Sequence, residues 1–239
     1  MSGQDQDVAV NLRGVTTVML PGTGSDDDYI ARAFEGPLRD AGARITAHPP
    51  QPAHLISGYL TVLDAAARSG PIAVGGVSIG AAVATAWALL HPDRTVAVLA
   101  ALPAWTGAPG SAPAAVAARH TAHQLRRVGL AATTSQMRTS SPQWLADELT
   151  RSWRGQWPDL PDAMEEAAAY IAPSCAQLNQ LTAPMGIAAA ADDPVHPFEI
   201  GLEWAAAAPH TALHTVTLEQ IGADPAVLGS ACLAALDAI

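Results

Sequence analysis

The stretch Val74-Gly75-Gly76-Val77-Ser78-Ile79-Gly80-Ala81-Ala82 decides how the rest of this 239-residue chain reads. It contains Gly76-x-Ser78-x-Gly80, the pattern of a serine presented on a sharp turn between a strand and a helix. The flanks supply that context. Pro71-Ile72-Ala73-Val74 is a short apolar run of the kind buried in parallel sheets. Ile79 to Leu90 is alanine-rich, carries Val83, Trp87 and Leu90, and predicts a helix. The glycines answer a steric need. A serine at the tip of so tight a turn has strained backbone angles, and neighbours without side chains let strand and helix pass close together. The free N–H groups of the helix start then face the serine oxygen, where an oxyanion would form.

Working outward, the same alternation repeats on both sides. Val8 to Arg13 predicts a short edge strand, and Val15-Thr16-Thr17-Val18-Met19-Leu20 a central one, ending in Pro21-Gly22-Thr23-Gly24-Ser25. Asp26-Asp27-Asp28 opens a helix that Gly42 stops. In that acidic run, Ser25 or Asp26 suits an N-cap and the others favour the helix dipole; the alternative role is a negative charge at a pocket mouth. Arg44 to Ala47 is a further strand, Ala53 to Ser69 a helix, and Val96 to Leu102 a buried strand. Pro103 to Pro113 is rich in Pro, Gly and Ala. From Ala114 to Leu181 the chain reads as short helices with Trp144, Trp153 and Trp157 and no strand. The alternation resumes with strand 184–191, the turn Asp192-Asp193-Pro194-Val195-His196-Pro197, helix 198–208, strand 212–218, a loop at 219–223 and a last helix 224–239.

Strands alternating with helices imply right-handed crossovers and a mostly parallel sheet covered on both faces. Ligands then bind beyond the carboxyl ends of the strands, so the chemistry is sought in the loops 21–25, 48–52, 76–80, 103–110, 192–197 and 219–223. The expected layout is a core of residues 8–103 and 182–239, a helical cap insertion at 104–181, and a disordered tail at 1–7.

Composition narrows the function. Hydrophobic residues make up 49% and charged ones 14%, enough for one full core. The formal net charge is −10, from 22 acidic and 12 basic residues, with no basic stripe, so nucleic acid is not an expected partner. No run reaches the length of a membrane span, and the polar N-terminus lacks the apolar stretch of a signal peptide, so a cytoplasmic protein is expected. Cys175 and Cys232 fit no metal spacing and read as buried thiols. No metal or cofactor is implied, and Asp192-Asp193 lacks a third ligand at suitable spacing. The partner is a small-molecule substrate; the sequence leaves the oligomeric state open.

Taken together, Leu20-Pro21-Gly22-Thr23-Gly24, Gly76-Val77-Ser78-Ile79-Gly80, His91-Pro92-Asp93-Arg94 and Asp192-Asp193-Pro194-Val195-His196-Pro197 resemble the α/β-hydrolase superfamily, in particular its small esterase-like and enol-lactonase-like members with a helical cap. The resemblance runs from Val15 to Ile239. It implies an α/β-hydrolase fold with a mostly parallel sheet of about six to eight strands flanked by helices. It also implies a Ser78 nucleophile, Asp193 as the acid (Asp192 being the next candidate), and an oxyanion hole from the backbone N–H groups of Thr23 and Ile79. Pro21 stands where such proteins often have histidine, a modest departure because the donor is a backbone group.

The larger departure concerns the base. The family order is Ser, acid, then a histidine after the last strand, and no histidine follows Thr217 here. Gln220, in the expected loop, cannot take a proton at neutral pH. His196, three residues after Asp193, is the best substitute; His48, or His120 and His123 in the cap, are the others. His91, His210 and His214 fall at the far end of the sheet. The expected activity is that of a serine hydrolase acting on a small to medium, mostly apolar neutral ester, thioester or lactone, with Trp105 and Trp144 lining the pocket. The alternative is a non-hydrolytic protein of the same fold, either a ligand-binding pseudoenzyme or a lyase or isomerase that uses the oxyanion hole without an acyl-enzyme.

Overall fold

A computed structural model of the chain describes residues 10–239; the tail expected over 1–7 lies outside them, as does the beginning of the edge strand expected at Val8. The rest of that segment is not a strand. Asn11 Oδ1 accepts the Arg13 N–H at 2.9 Å and the Leu12 carbonyl accepts the Val15 N–H, so the chain turns where a strand would need it extended.

The first half runs β1 (Thr16–Leu20), α1 (Asp27–Asp40), β2 (Arg44–Ala47), α2 (Leu55–Ala67), β3 (Ile72–Val77), α3 (Ile79–Leu90) and β4 (Thr95–Ala101). Four helices follow without a strand: α4 (Pro113–Ser140), α5 (Gln143–Gln156), α6 (Leu160–Ala169) and α7 (Cys175–Leu178). The alternation then returns with β5 (Met185–Ala190), α8 (Phe198–Ala207), β6 (Thr211–Val216), α9 (Leu218–Ala223) and α10 (Ala226–Leu236). The six strands lie in the order β2-β1-β3-β4-β5-β6, and all five pairings are parallel.

Both faces of the sheet are covered, which is why its strands are near-continuous apolar runs. Val18, Leu20, Val74 and Ile187 pack towards α2, α3 and α8, whereas Met19, Ala73, Leu99 and Ala188 pack towards α1 and α10. A small third cluster, with Leu125, Trp153, Leu160 and Met164, lies inside the inserted helices. Chain order reverses at β1, which pairs with β2 on one side and β3 on the other. The loops leaving β1 and β3 therefore part there and open a crevice, the usual ligand position in such a sheet.

Two sequence expectations change here. The loop expected at 219–223 is the helix α9, because Thr217 and Gln220 form a reciprocal capping box: the Thr217 hydroxyl accepts the Gln220 N–H, and the Gln220 side chain accepts the Thr217 N–H. Gln220 is a cap. Second, only Cys232 is buried; its thiol pKa is pushed up to about 12 by desolvation. Cys175 is exposed at the start of α7 and lies 3.1 Å from Glu203 Oε1.

Candidate active site

Ser78 sits between β3 and α3 with φ 56° and ψ −115°, a left-handed conformation that costs a non-glycine residue about 1–3 kcal/mol. Its surroundings hold it there. The Ser78 N–H donates to the Ala101 carbonyl at 2.9 Å, and its carbonyl accepts the Ala82 N–H at 3.1 Å. A side chain on Gly76 would come within 2.7 Å of the Gly80 carbonyl carbon, and one on Gly80 within 2.7 Å of the Pro21 carbonyl oxygen. Strand and helix pass that closely only because both residues are glycine.

Ser78 Oγ lies 3.0 Å from His196 Nε2, and His196 Nδ1 lies 2.8 Å from Asp193 Oδ2. The three groups form one continuous hydrogen-bond chain. A local turn makes it possible. Asp193 Oδ1 accepts the backbone N–H groups of Val195, at 2.7 Å, and His196, at 3.2 Å. That turn folds the imidazole back over the other carboxylate oxygen. Burial of Asp193 acts to raise its pKa; the hydrogen bond and charge of His196 and the two backbone donors outweigh it and hold the carboxyl below the usual carboxylate range. Among the described residues, Asp192 makes no hydrogen bond to His196. Its Oδ1 accepts the Leu218 N–H at 2.8 Å and ties this loop to the start of α9.

The β1 loop lies against the serine. A Cβ on Gly22 would stand 3.6 Å from Ser78 Cβ. The Ser25 N–H donates to the Gly22 carbonyl at 3.0 Å, closing a turn through Thr23 and Gly24, and Gly24 has a φ of +72° that glycine adopts freely. The Tyr59 hydroxyl donates to the Pro21 carbonyl at 3.0 Å and fixes the end of β1. Among the described residues, the N–H groups of Thr23 and Ile79 have no hydrogen-bond acceptor.

Above these groups is a cavity of about 550 Å³, lined by Thr23, Ser78 and His196 below and by the inserted helices above. Trp105 and Trp144 both line it. Trp105 is buried and donates its indole N–H to the Tyr170 carbonyl, while Trp144 is half-buried and covers Gly222. Trp153 also lines the cavity, whereas Trp157 is exposed and away from it. His120 lines the cavity but is exposed; His48, His54, His91, His123, His210 and His214 line no part of it. None of Asp26, Asp27 and Asp28 lines the cavity. Asp26 caps α1 by accepting the Tyr29 N–H, and its carboxylate also receives both guanidinium nitrogens of Arg151, at 2.6 and 2.9 Å.

Sequence reasoning missed Leu102, Leu218 and Ile221, which complete the cavity wall. Leu102 has φ 51°, held by its N–H bond to the Ala188 carbonyl, and nothing in its sequence neighbourhood announces that conformation. Leu218 and Ile221 come from α9, whose signal, Thr217-x-x-Gln220, was present in the sequence. Among the described residues, no group of three or more His, Cys, Asp or Glu side chains is placed to hold a metal ion, and no helix is long and apolar enough to cross a membrane.

A parallel sheet with a positive-φ serine between its third strand and the following helix, and with helices inserted after the fourth strand, is the α/β-hydrolase fold. Solved structures of that fold superpose on nearly the whole chain. The Rv0554 protein of Mycobacterium tuberculosis is 17% identical with a TM-score of 0.69, the alignment covering 96% of this chain and 92% of that one. A hydrolase from Pseudomonas aeruginosa is 20% identical with a TM-score of 0.65, covering 92% and 89%. The enol-lactonase of Burkholderia xenovorans is 17% identical with a TM-score of 0.62, covering 87% and 84%. No protein-family model and no curated protein matches the sequence.

Proposed function

We propose that the protein is a serine hydrolase in which acid and base come from one turn after β5. The observation that carries this reading is the hydrogen-bond chain from Ser78 Oγ through His196 to Asp193. A serine hydroxyl becomes a useful nucleophile when an adjacent base takes its proton and a third group orients that base. Ser78 Oγ attacks the substrate carbonyl as its proton passes to His196 Nε2. The negative charge on the carbonyl oxygen is held by the N–H groups of Thr23 and Ile79. His196 returns the proton to the leaving oxygen or sulfur, and water, deprotonated by the same nitrogen, releases the acid. Asp193 holds the ring in the tautomer with its proton on Nδ1 and stabilises the imidazolium that forms.

The substrate is a small to medium, mostly apolar, neutral ester, thioester or lactone. Trp105, Met137, Trp144 and Leu149 give the cavity apolar walls, and the Arg151 guanidinium in its wall is already paired with carboxylates. The names of the fold relatives, hydrolase and enol-lactonase, agree with this class. The absence of a histidine after β6 favoured a non-hydrolytic reading only while no imidazole stood near Ser78, and His196 Nε2 is 3.0 Å from its oxygen.

The test is a fluorophosphonate probe followed by peptide mapping. A single adduct on Ser78 is expected. A folded protein that takes up no probe, or takes it up elsewhere, overturns the reading.

The low pKa of Asp193 carries a separate consequence. A carboxyl whose folded-state pKa is depressed contributes stability that is present above its unfolded value, about 3.9, and lost as the pH falls through the folded value. The stability gap between wild type and Asp193→Asn is therefore expected to narrow as the pH is lowered from about 6 to below 3. Urea unfolding across that range measures it, and a gap that does not change with pH would contradict the assignment.

A further inference from the structure

We propose that Gln156 is a positioning residue that holds the Thr23 N–H in place from the cap side; the inference rests on the serine-hydrolase reading above. The last two turns of α5 lie directly on the segment that leaves β1, and the three consecutive residues Gly24, Ser25 and Asp26 are gripped from them. The Trp153 indole packs on Gly24, its Nε1 lying 2.7 Å from where a Cβ would stand there. The Gln156 side-chain N–H₂ donates to the Ser25 carbonyl at 2.9 Å and to Ser152 Oγ at 2.8 Å. Arg151 closes on Asp26 with both guanidinium nitrogens. The loop is thus fixed at its far end by the inserted helices, as its near end is fixed by Tyr59 on Pro21.

The chemistry of the contact argues for more than packing. Gln156 is 6% exposed and Ser152 is 4% exposed, so this is a buried polar junction where an apolar contact would dock helix on loop more simply. It is also incompletely satisfied. Trp153 Nε1 and Gln156 Oε1 are buried and have no partner among the described residues. A buried unpaired polar group costs about 1–3 kcal/mol, and such groups persist where the geometry they enforce is used. What this junction enforces is the turn Gly22–Ser25, and that turn carries the Thr23 N–H. An oxyanion donor acts through its exact placement, because the charge it meets exists only in the transition state.

Gln156→Met keeps the length of the side chain and removes the donor. It is expected to lower kcat about ten- to a hundredfold with KM within about threefold, as misplacing a catalytic group by around an ångström does. Affinity for a boronate that mimics the tetrahedral intermediate should fall with kcat. Amide exchange of Thr23, Gly24 and Ser25 should accelerate while that of β3 and β4 stays as in wild type. If Gln156→Met does not fold, Gln156→Asn, which keeps the amide but shortens its reach by one methylene, carries the same expectations. A folded variant with kcat within about twofold of wild type and unchanged exchange at residues 23–25 overturns the proposal, as does a loss confined to KM. Exchange needs no turnover, so if wild type proves inert towards esters and probe, the hydrolase reading fails on that result while exchange still decides whether Gln156 holds the loop.

Discussion

His196→Ala is expected to lower kcat/KM by about four to six orders of magnitude while leaving the fold and the Ser78 conformation intact. The size follows from the role proposed for the imidazole. Ser78 Oγ has His196 Nε2 at 3.0 Å as its imidazole partner, and among the described residues no other histidine bonds to it: His120 lines the cavity but is exposed, and His48, His54, His91, His123, His210 and His214 line no part of it. Without a base, attack by the neutral hydroxyl is slow, and the oxyanion donors can rescue only a small part of the rate. Asp193→Asn should cost about 10⁴-fold, because the ring would lose its carboxylate and adopt the other tautomer. Asp192→Asn should change turnover little, because an amide oxygen can still accept the Leu218 N–H. The double variant Ser78→Ala/His196→Ala should be no slower than either single variant, as expected of groups that act as a unit. Steady-state kinetics on an activated ester decides the point. An His196→Ala enzyme retaining a tenth or so of wild-type kcat/KM would show that another group takes the proton.

How much of this was legible in the sequence depends on how local each feature is. The elbow could be read because it is local: a strained serine needs small residues two positions away on both sides, and Gly76 and Gly80 declare it. The parallel sheet could be read for the same reason, from apolar runs alternating with helical ones, and all six strands fall where such runs occur. The histidine beside Ser78 is harder to read because the family order points beyond the last strand, where this chain has none. What brings His196 back to Asp193 is a turn in which one carboxylate oxygen takes two backbone donors. The spacing Asp-x-x-His permits that turn without requiring it. The capping box at Thr217 was in plain view, yet expecting a catalytic loop there hid it. Contacts between distant segments left no trace in the sequence. The left-handed Leu102, the break in α4 at Gly129 (φ 80°) and the seat of Gln156 on Ser25 depend on tertiary packing.

Gly80→Ala is expected to destabilise the protein by more than about 3 kcal/mol and to abolish probe labelling with it. A methyl at this position would overlap the Leu20 carbonyl oxygen and stand 2.7 Å from the Pro21 carbonyl oxygen. Both obstacles are backbone. No side chain can rotate away, so α3 must withdraw from β1 or β1 must bend. Neither element is free to move: Leu20 is paired with Gly76 in the sheet, and the Pro21 carbonyl already accepts the Tyr59 hydroxyl. Domains of this kind are stable by about 5–15 kcal/mol in all, so such a loss is a large share of the total. The functional penalty follows from the same contact, because withdrawing α3 moves the Ile79 N–H while bending β1 moves the Thr23 N–H. Gly155→Ala is the matching control. That glycine is exposed in α5 with open space where the methyl would go, so the change should be neutral or slightly stabilising, by at most about 1 kcal/mol. Thermal and urea unfolding of the two variants beside wild type measure the difference. A Gly80→Ala protein that melts with the wild type would mean that strand and helix are not pressed together at this point, and that the glycine serves only the turn.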